Sequence, residues 1–269
     1  MFSSKLSKLA ATALFTLSAS FLAAQSAHAT VVQFQTVMGD FSVNLYDKAT
    51  PKTVENFLAY VKSSAYMNSV IHRSVPGFIV QGGGYKYESK PPLLNITQNA
   101  AVINEPVYAN KRGTIAMAKL SGDLNSATNQ WFFNLADNSS SLDIKNQQFT
   151  VFGEVMGNGM AIIDAMAALS IFNAGSPFNE LPLRNYSAAD VTNGVAITDK
   201  QLVMIIGVLV LDANVDSAAS LTPTKTTYTP STDNGSSSGG GGGGGGGGSM
   251  GWASLLLLLA LFGFGRSRP

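Results

Sequence analysis

No cysteine occurs in the 269 residues, and histidine occurs only twice, at His28 and His72. The first absence excludes disulfide frameworks, thiol catalysis and cysteine-ligated zinc. It leaves the compartment open, because an exported protein of this size does not require disulfides. The second weighs against Ser-His-Asp hydrolysis and multi-histidine metal centres. Charge is scarce as well. Asp, Glu, Lys and Arg make up 12% of the chain, about half the usual share, and the formal net charge is +1. With no Lys/Arg excess to lay along a phosphate backbone, nucleic acid is not an expected partner. The length allows one or two domains. So low a charge fraction means either an unusually apolar fold or segments that lie outside the fold.

The ends account for part of it. Lys5 and Lys8 precede an uncharged, mostly apolar run from Leu9 to Ala24, and Ala27-His28-Ala29 follows as a small-x-small cleavage pattern. This predicts a signal peptide over residues 1–29, removed by signal peptidase before Thr30, and hence export. A retained N-terminal anchor is the alternative, and the fit of the cleavage pattern argues against it. At the other end, Leu221 to Ser238 is rich in Ser, Thr, Pro and Asn without apolar periodicity, and Gly239 to Gly248 are all glycine. Residues 217–248 are therefore predicted to be a disordered linker.

Met250 to Gly265 is then uncharged and Leu-rich, with Arg266 and Arg268 closing the chain. A helix over that run spans about 24 Å, short of a ~30 Å hydrocarbon core. The glycine run, short apolar segment and basic end resemble the bacterial GlyGly-CTERM sorting signals. That resemblance implies recognition and cleavage of residues 249–269 by a rhomboid-type protease, a rhombosortase. A permanent membrane anchor is the alternative, but it has no need of a glycine tether. Without Lys5, Lys8, Arg266 and Arg268, the 17 basic residues become 13 against 16 acidic ones, so +1 becomes −3.

Residues 30–216 read as one globular domain. Val31 to Val37 and the alternating Phe41 to Tyr46 flank Met38-Gly39-Asp40 as a hairpin. Thr50-Pro51 predicts a helix start, with Thr50 at the N-cap and Pro51 in the first turn. Val54, Phe57, Leu58 and Val61 then fall on one helical face. Further strands are expected over 69–74, 77–81, 113–118, 130–135 and 148–155, and a second helix over about 159–169 carries Ile162, Ile163 and Met166 inward. Leu202 to Leu211 is expected to end the domain as a buried strand. Residues 170–201 read as a long loop. Many strands, two helices and no βαβ alternation favour a mainly β fold, a closed or nearly closed antiparallel sheet capped by helices.

Few reactive groups remain in this domain. His72 lies in a strand, where its default role is that of a hydrogen-bonded core residue. Gly82-Gly83-Gly84 follows a strand but lacks the Gly-Lys-Ser/Thr ending of a phosphate loop, so it reads as a turn with positive φ. The carboxylates form no hydrolase-like pair. From the residues alone the reading stops at an exported β-rich domain.

Five blocks carry it further. Thr50-Pro51-Lys52-Thr53-Val54-Glu55-Asn56-Phe57, His72-Arg73 with Val75-Pro76-Gly77-Phe78-Ile79-Val80-Gln81-Gly82-Gly83, Gly113 to Ala118, Asn125 to Asn134, and Phe149 to Val155 stand in one order. Together they resemble the cyclophilin-type peptidyl-prolyl cis-trans isomerases, and within them the bacterial periplasmic branch. Similarity runs through nearly all of residues 31 to 212. The resemblance implies a closed eight-stranded antiparallel β-barrel capped by two α-helices, no cofactor, and a monomeric domain acting on proline-containing polypeptides. It implies Arg73 as the catalytic residue. It also implies Phe78, Ile79, Phe132 and Leu142 as the proline pocket, Gln81 and Gln130 as groups holding substrate or arginine, and Ala118 and Lys119 along the groove.

Strand alternation agrees in part, because Ile79 shares a face with Gln81 and Gln130 with Phe132, while Trp131 points to the core. The chain also departs from the family pattern. Ile79 stands where methionine is common, Lys119-Leu120 replace smaller or Asn/Arg-type groove residues, Ser141 replaces an aromatic, and Phe149 replaces a histidine. Loss of that aromatic wall implies weak cyclosporin binding. The alternative reading is a catalytically weak cyclophilin-like module that grips proline-containing segments of a surface partner. Retention of Arg73 argues against it.

Overall fold

A computed structural model of the protein describes residues 30–145, 148–212 and 221–228. The expected signal peptide, the glycine run and the apolar C-terminal segment lie outside the described residues. β1 (Val31–Thr36) and β2 (Phe41–Leu45) form the expected hairpin, with Val32 opposite Val43 and Phe34 opposite Phe41. Those four side chains are buried on one face. Gly39, in the turn, has φ 120°, a conformation that disfavours any side chain.

Helix α1 (Pro51–Lys62) follows, with Val54, Phe57 and Val61 buried and Leu58 packed against the core at its rim. Its cap differs from the expectation. The Thr50 side chain gives no cap hydrogen bond and its hydroxyl donates instead to Tyr46 O. The free N–H groups are taken by a distant carboxylate. Glu105 accepts from Lys52 N at 3.2 Å and from Thr53 N at 2.8 Å. A charged acceptor at the positive end of the helix does the work of the short local cap.

β3 (Ser69–Val70), β4 (Arg73–Val75), β5 (Ile79–Gly82), β6 (Tyr85–Lys86), β7 (Leu94–Asn95), β8 (Thr114–Met117) and β9 (Trp131–Asn134) come next. A π-helical turn (Ser140–Lys145), β10 (Val151–Val155) and α2 (Gly159–Ala167) follow. β11 (Ser170–Phe172), β12 (Leu181–Leu183), α3 (Ala188–Thr192) and β13 (Met204–Asp212) complete the described elements. The fold is mainly β. Eleven strands pair in the order β4-β5-β9-β8-β10-β2-β1-β13-β3-β6-β7, each pair antiparallel, and β11 pairs with β12. The run predicted over 69–74 is split. β3 pairs with β13, whereas β4 pairs with β5. Between them Ile71 N donates to Val203 O and His72 N to Gln81 O, so the chain changes partners within one step.

The main core joins the inner face of the sheet to α1 and α2. Phe34 stacks on Phe41 with centroids 5.1 Å apart and meets Trp131 and Phe133 edge-on at 5.1 and 5.5 Å. Each fully buried Phe of this kind contributes roughly 1.5–3 kcal/mol. Of the α2 residues expected inward, Ile163 and Met166 are fully buried and Ile162 lies at the margin against the core.

β13 is a correction to the expected buried strand. Met204, Ile205 and Val208 are buried, but Ile206, Leu209, Val210 and Leu211 are exposed. Apolar composition marked a strand here but not which side of it faces solvent. Residues 170–201 are also more ordered than a loop. β11 and β12 pair, and Ser187 caps α3 through a reciprocal box with Asp190. α3 is thus a third α-helix beside the two expected. Leu181 and Leu183 anchor the segment in a separate apolar cluster with Val70, Tyr87, Leu202 and Met204.

Residues 221–228, expected within the linker, dock on the domain. Ala109 N donates to Thr224 O and Thr226 N to Val107 O, while Thr226 Oγ1 donates to the buried Asp143. Backbone pairing needs no apolar periodicity, so composition carried no sign of it.

Candidate active site

Register places the candidate residues in one row. Arg73 on β4 lies opposite Gln81 on β5, Gln81 opposite Phe132 on β9, and Phe132 opposite Ala116 on β8. Directly opposed residues in an antiparallel sheet share a face. The row therefore passes from a guanidinium through an amide to an aromatic ring. On the other face Val80, Ile115, Trp131 and Phe133 enter the main core.

The apolar end is a cluster of its own. Ile79, Ala116, Phe132, Leu142, Phe149, Tyr46 and Val151 are buried together, with Phe78, Ala118, Tyr108 and Leu221 packed at its edge. The predicted pocket residues Phe78, Ile79, Phe132 and Leu142 are thus brought together, as is Ala118. Phe149 meets Phe132 edge-on at 5.6 Å. Lys119 holds its ammonium 4.9 Å from the Phe149 ring centroid, and burial pulls the Lys119 pKa down. The ammonium lies over the face of the ring, the geometry of a cation–π contact.

The polar end is hydrogen-bonded in series. Arg73 Nη1 donates to Gln81 Oε1 at 3.4 Å, and Gln81 Nε2 donates to Gln130 Oε1 at 2.9 Å. The Gln130 backbone is fixed as well, its main-chain carbonyl accepting from Ala118 N. Arg73 Nε donates to Glu180 Oε2 at 2.6 Å. Sequence reasoning missed Glu180. It lies 107 residues away in a segment with no pattern tying it to Arg73.

The walls rest on buried amides. Asn138 Nδ2 donates to Phe78 O and to Asn134 Oδ1, while Asn134 Nδ2 donates to Asn110 Oδ1 and Thr114 Oγ1. Asn110 Nδ2 reaches Asp143 Oδ1 in the turn that carries Leu142. Satisfied networks of this sort hold a pocket in one shape, since each broken link leaves a buried polar atom unpaired. Ser141 occupies the same turn, its hydroxyl donating to Asn138 O.

His72 is buried, as expected of a core residue. The ring lies edge-on to Tyr85 at 4.9 Å. Burial pushes its pKa down from 6.5 to about 4, so the imidazole is neutral at pH 7. The sign follows from linkage. Below pH 6.5 the unfolded chain takes up a proton that the folded chain refuses until about pH 4, so stability falls as pH drops through that window. Between pH 7 and pH 4.5 the protein is expected to lose about 2–3 kcal/mol more than a His72→Leu variant. Urea melts of both proteins at the two pH values measure this, and equal losses would refute it.

The family model described as cyclophilin type peptidyl-prolyl cis-trans isomerase/CLD matches residues 31–188. Peptidyl-prolyl cis-trans isomerase A of Dickeya dadantii is 37% identical over 172 residues, 61% of this chain and 83% of that protein. Peptidyl-prolyl cis-trans isomerase of Acinetobacter baylyi is 36% identical over 151 residues, 53% of this chain and 76% of that protein. Peptidyl-prolyl cis-trans isomerase B of Escherichia coli is 33% identical over 154 residues, 54% of this chain and 88% of that protein.

Proposed function

This chain belongs to the cyclophilin-type peptidyl-prolyl cis-trans isomerase family, and on that premise we propose that the row from Arg73 to Phe132 isomerises X-Pro bonds in exported polypeptides. The reaction makes and breaks no covalent bond. Its barrier, about 18–20 kcal/mol, is the double-bond character of the C–N link. The proline ring enters the apolar cluster of Phe78, Ile79, Phe132 and Leu142, where water no longer stabilises the charge-separated planar amide. Arg73 then donates to the prolyl nitrogen and draws its lone pair out of conjugation. A guanidinium suits that task because its charge does not titrate. Gln81 holds the guanidinium, and Gln130, Ala118 and Lys119 line the path of the substrate backbone.

The observation that carries this reading is the single face on which a cation, an amide and an apolar cluster are set side by side. A coupled proline-isomerisation assay on purified protein tests it. Acceleration over the uncatalysed rate, which takes tens to hundreds of seconds, is expected, and no acceleration would refute it.

The family's closed eight-stranded barrel is the reading we favour for the sheet. Treated as one strand, residues 69–75 pair with β13 at one end and with β5 at the other. That would close a ring of eight strands, β3/β4-β5-β9-β8-β10-β2-β1-β13, with β6 and β7 outside it. Residues 1–29 as a signal peptide and 249–269 as a GlyGly-CTERM tail place the enzyme in the periplasm or at the cell surface. Mass spectrometry of protein from its native cells is expected to find Thr30 at the N-terminus and the chain ending before Arg266. An intact Pro269 terminus would overturn the sorting assignment.

A further inference from the structure

We propose that Glu180 is a positioning residue for the reaction, clamping the guanidinium of Arg73 in the orientation that meets the prolyl nitrogen. The inference rests on the role of Arg73 given above. Three observations support it. The contact is close and charge-assisted, Nε to Oε2 at 2.6 Å, between side chains that are 24% and 39% exposed. Glu180 is itself anchored, because Ser74 N donates to its carbonyl at 2.9 Å. Leu181, next in the chain, is fully buried in the cluster below β4. The carboxylate is therefore held against β4 by its own backbone and by its neighbour.

The atoms engaged decide what the pair does. Glu180 takes Nε, the nitrogen nearest the chain, and Gln81 takes Nη1. A planar group held at both points has no free rotation about its stem. Among the described residues nothing else engages Nη2, which stays available to a ligand. An arginine held only by Gln81 at 3.4 Å would have to give up rotamer freedom in the transition state, a freedom that is large for so long a side chain. The ion pair removes that freedom during folding. The segment carrying it, residues 170–201, thereby acquires a role in the chemistry of a site whose other members lie between residues 73 and 142.

The test uses Glu180→Ala, Glu180→Gln and Arg73→Ala in the full chain, with an X-Pro peptide. Glu180→Ala is expected to lower kcat about tenfold, equivalent to about 1.4 kcal/mol, with KM changed less than about twofold. Glu180→Gln should recover kcat to within about threefold of wild type, since an amide oxygen still accepts from Nε. The Arg73 Nε–H resonance should exchange with water faster in Glu180→Ala, and the thermal midpoint should not move. An unchanged or higher kcat in Glu180→Ala would overturn the inference, the latter by showing that the carboxylate restrains the arginine. A loss confined to KM, or one that tracks a lower midpoint, would also overturn it. If Arg73→Ala left the rate unchanged, the role of Arg73 would fail and Glu180 with it. A slow Arg73→Ala beside a wild-type-like Glu180→Ala would remove Glu180 alone.

Discussion

Arg73→Ala is expected to lower kcat/KM on an X-Pro peptide by about 10²–10³-fold, the loss seen when one preorganised hydrogen-bond donor is taken from a transition state. The donor matters because the planar ground state offers the prolyl nitrogen no lone pair to accept with. Only the twisted state does, so the interaction strengthens on the way to the barrier and accelerates the step. Part of the rate should survive, because the apolar cluster still excludes water from the imide. Arg73→Lys is expected to recover little. An ammonium is a single point and cannot reach Glu180 and Gln81 while also facing the pocket. The assay reads both variants against wild type, with circular dichroism to confirm that each is folded. An Arg73→Ala enzyme within threefold of wild type would remove this arginine from the mechanism.

Gly83→Ala is expected to destabilise the domain by about 3 kcal/mol or more, read as a large drop in the urea midpoint. Two costs coincide at this position. Its φ is 80°, which an L side chain adopts only with strain. A Cβ there would also lie 2.5 Å from Asn129 O and 2.7 Å from Trp131 Nε1. Both neighbours are fixed, one as backbone and one as a ring with no exposed surface, so the crowding is not relieved by rotating a side chain. Overpacking of this kind costs typically 1–3 kcal/mol before the backbone strain is added. Gly77 is the control, with φ 74° and nothing within 4 Å of an added Cβ. Gly77→Ala should cost only the conformational part, about 1 kcal/mol. Equal losses at the two glycines would mean that contact with Trp131 is immaterial.

The glycine triplet illustrates what was readable and what was not. A run of three after a strand indicated a turn with positive φ, and Gly83 has it. Gly82 is needed for another reason, because a Cβ there would lie 2.7 Å from the Trp131 ring. Close approach of elements separated by some 50 residues leaves no local trace. The helix cap shows the same limit. Thr50-Pro51 marked the start of α1 correctly, but Glu105 supplies the cap, and a carboxylate five strands further along the chain has no positional signature. Conversely, the Ser187–Asp190 box was a local signal present in the sequence, and α3 follows it.

Alternation and the five ordered blocks determined the fold class, the hairpin, both longer helices and the choice of Arg73, Gln81 and Phe132 as candidates, because those depend on periodicity and on short contiguous patterns. Which face of β13 meets solvent, where residues 221–228 rest, what holds Arg73 and what caps α1 were decided by tertiary structure alone. Each depends on a partner brought from far along the chain by burial of the core. Spacing along a chain encodes which side a residue takes within its own element. Only packing determines what stands opposite it.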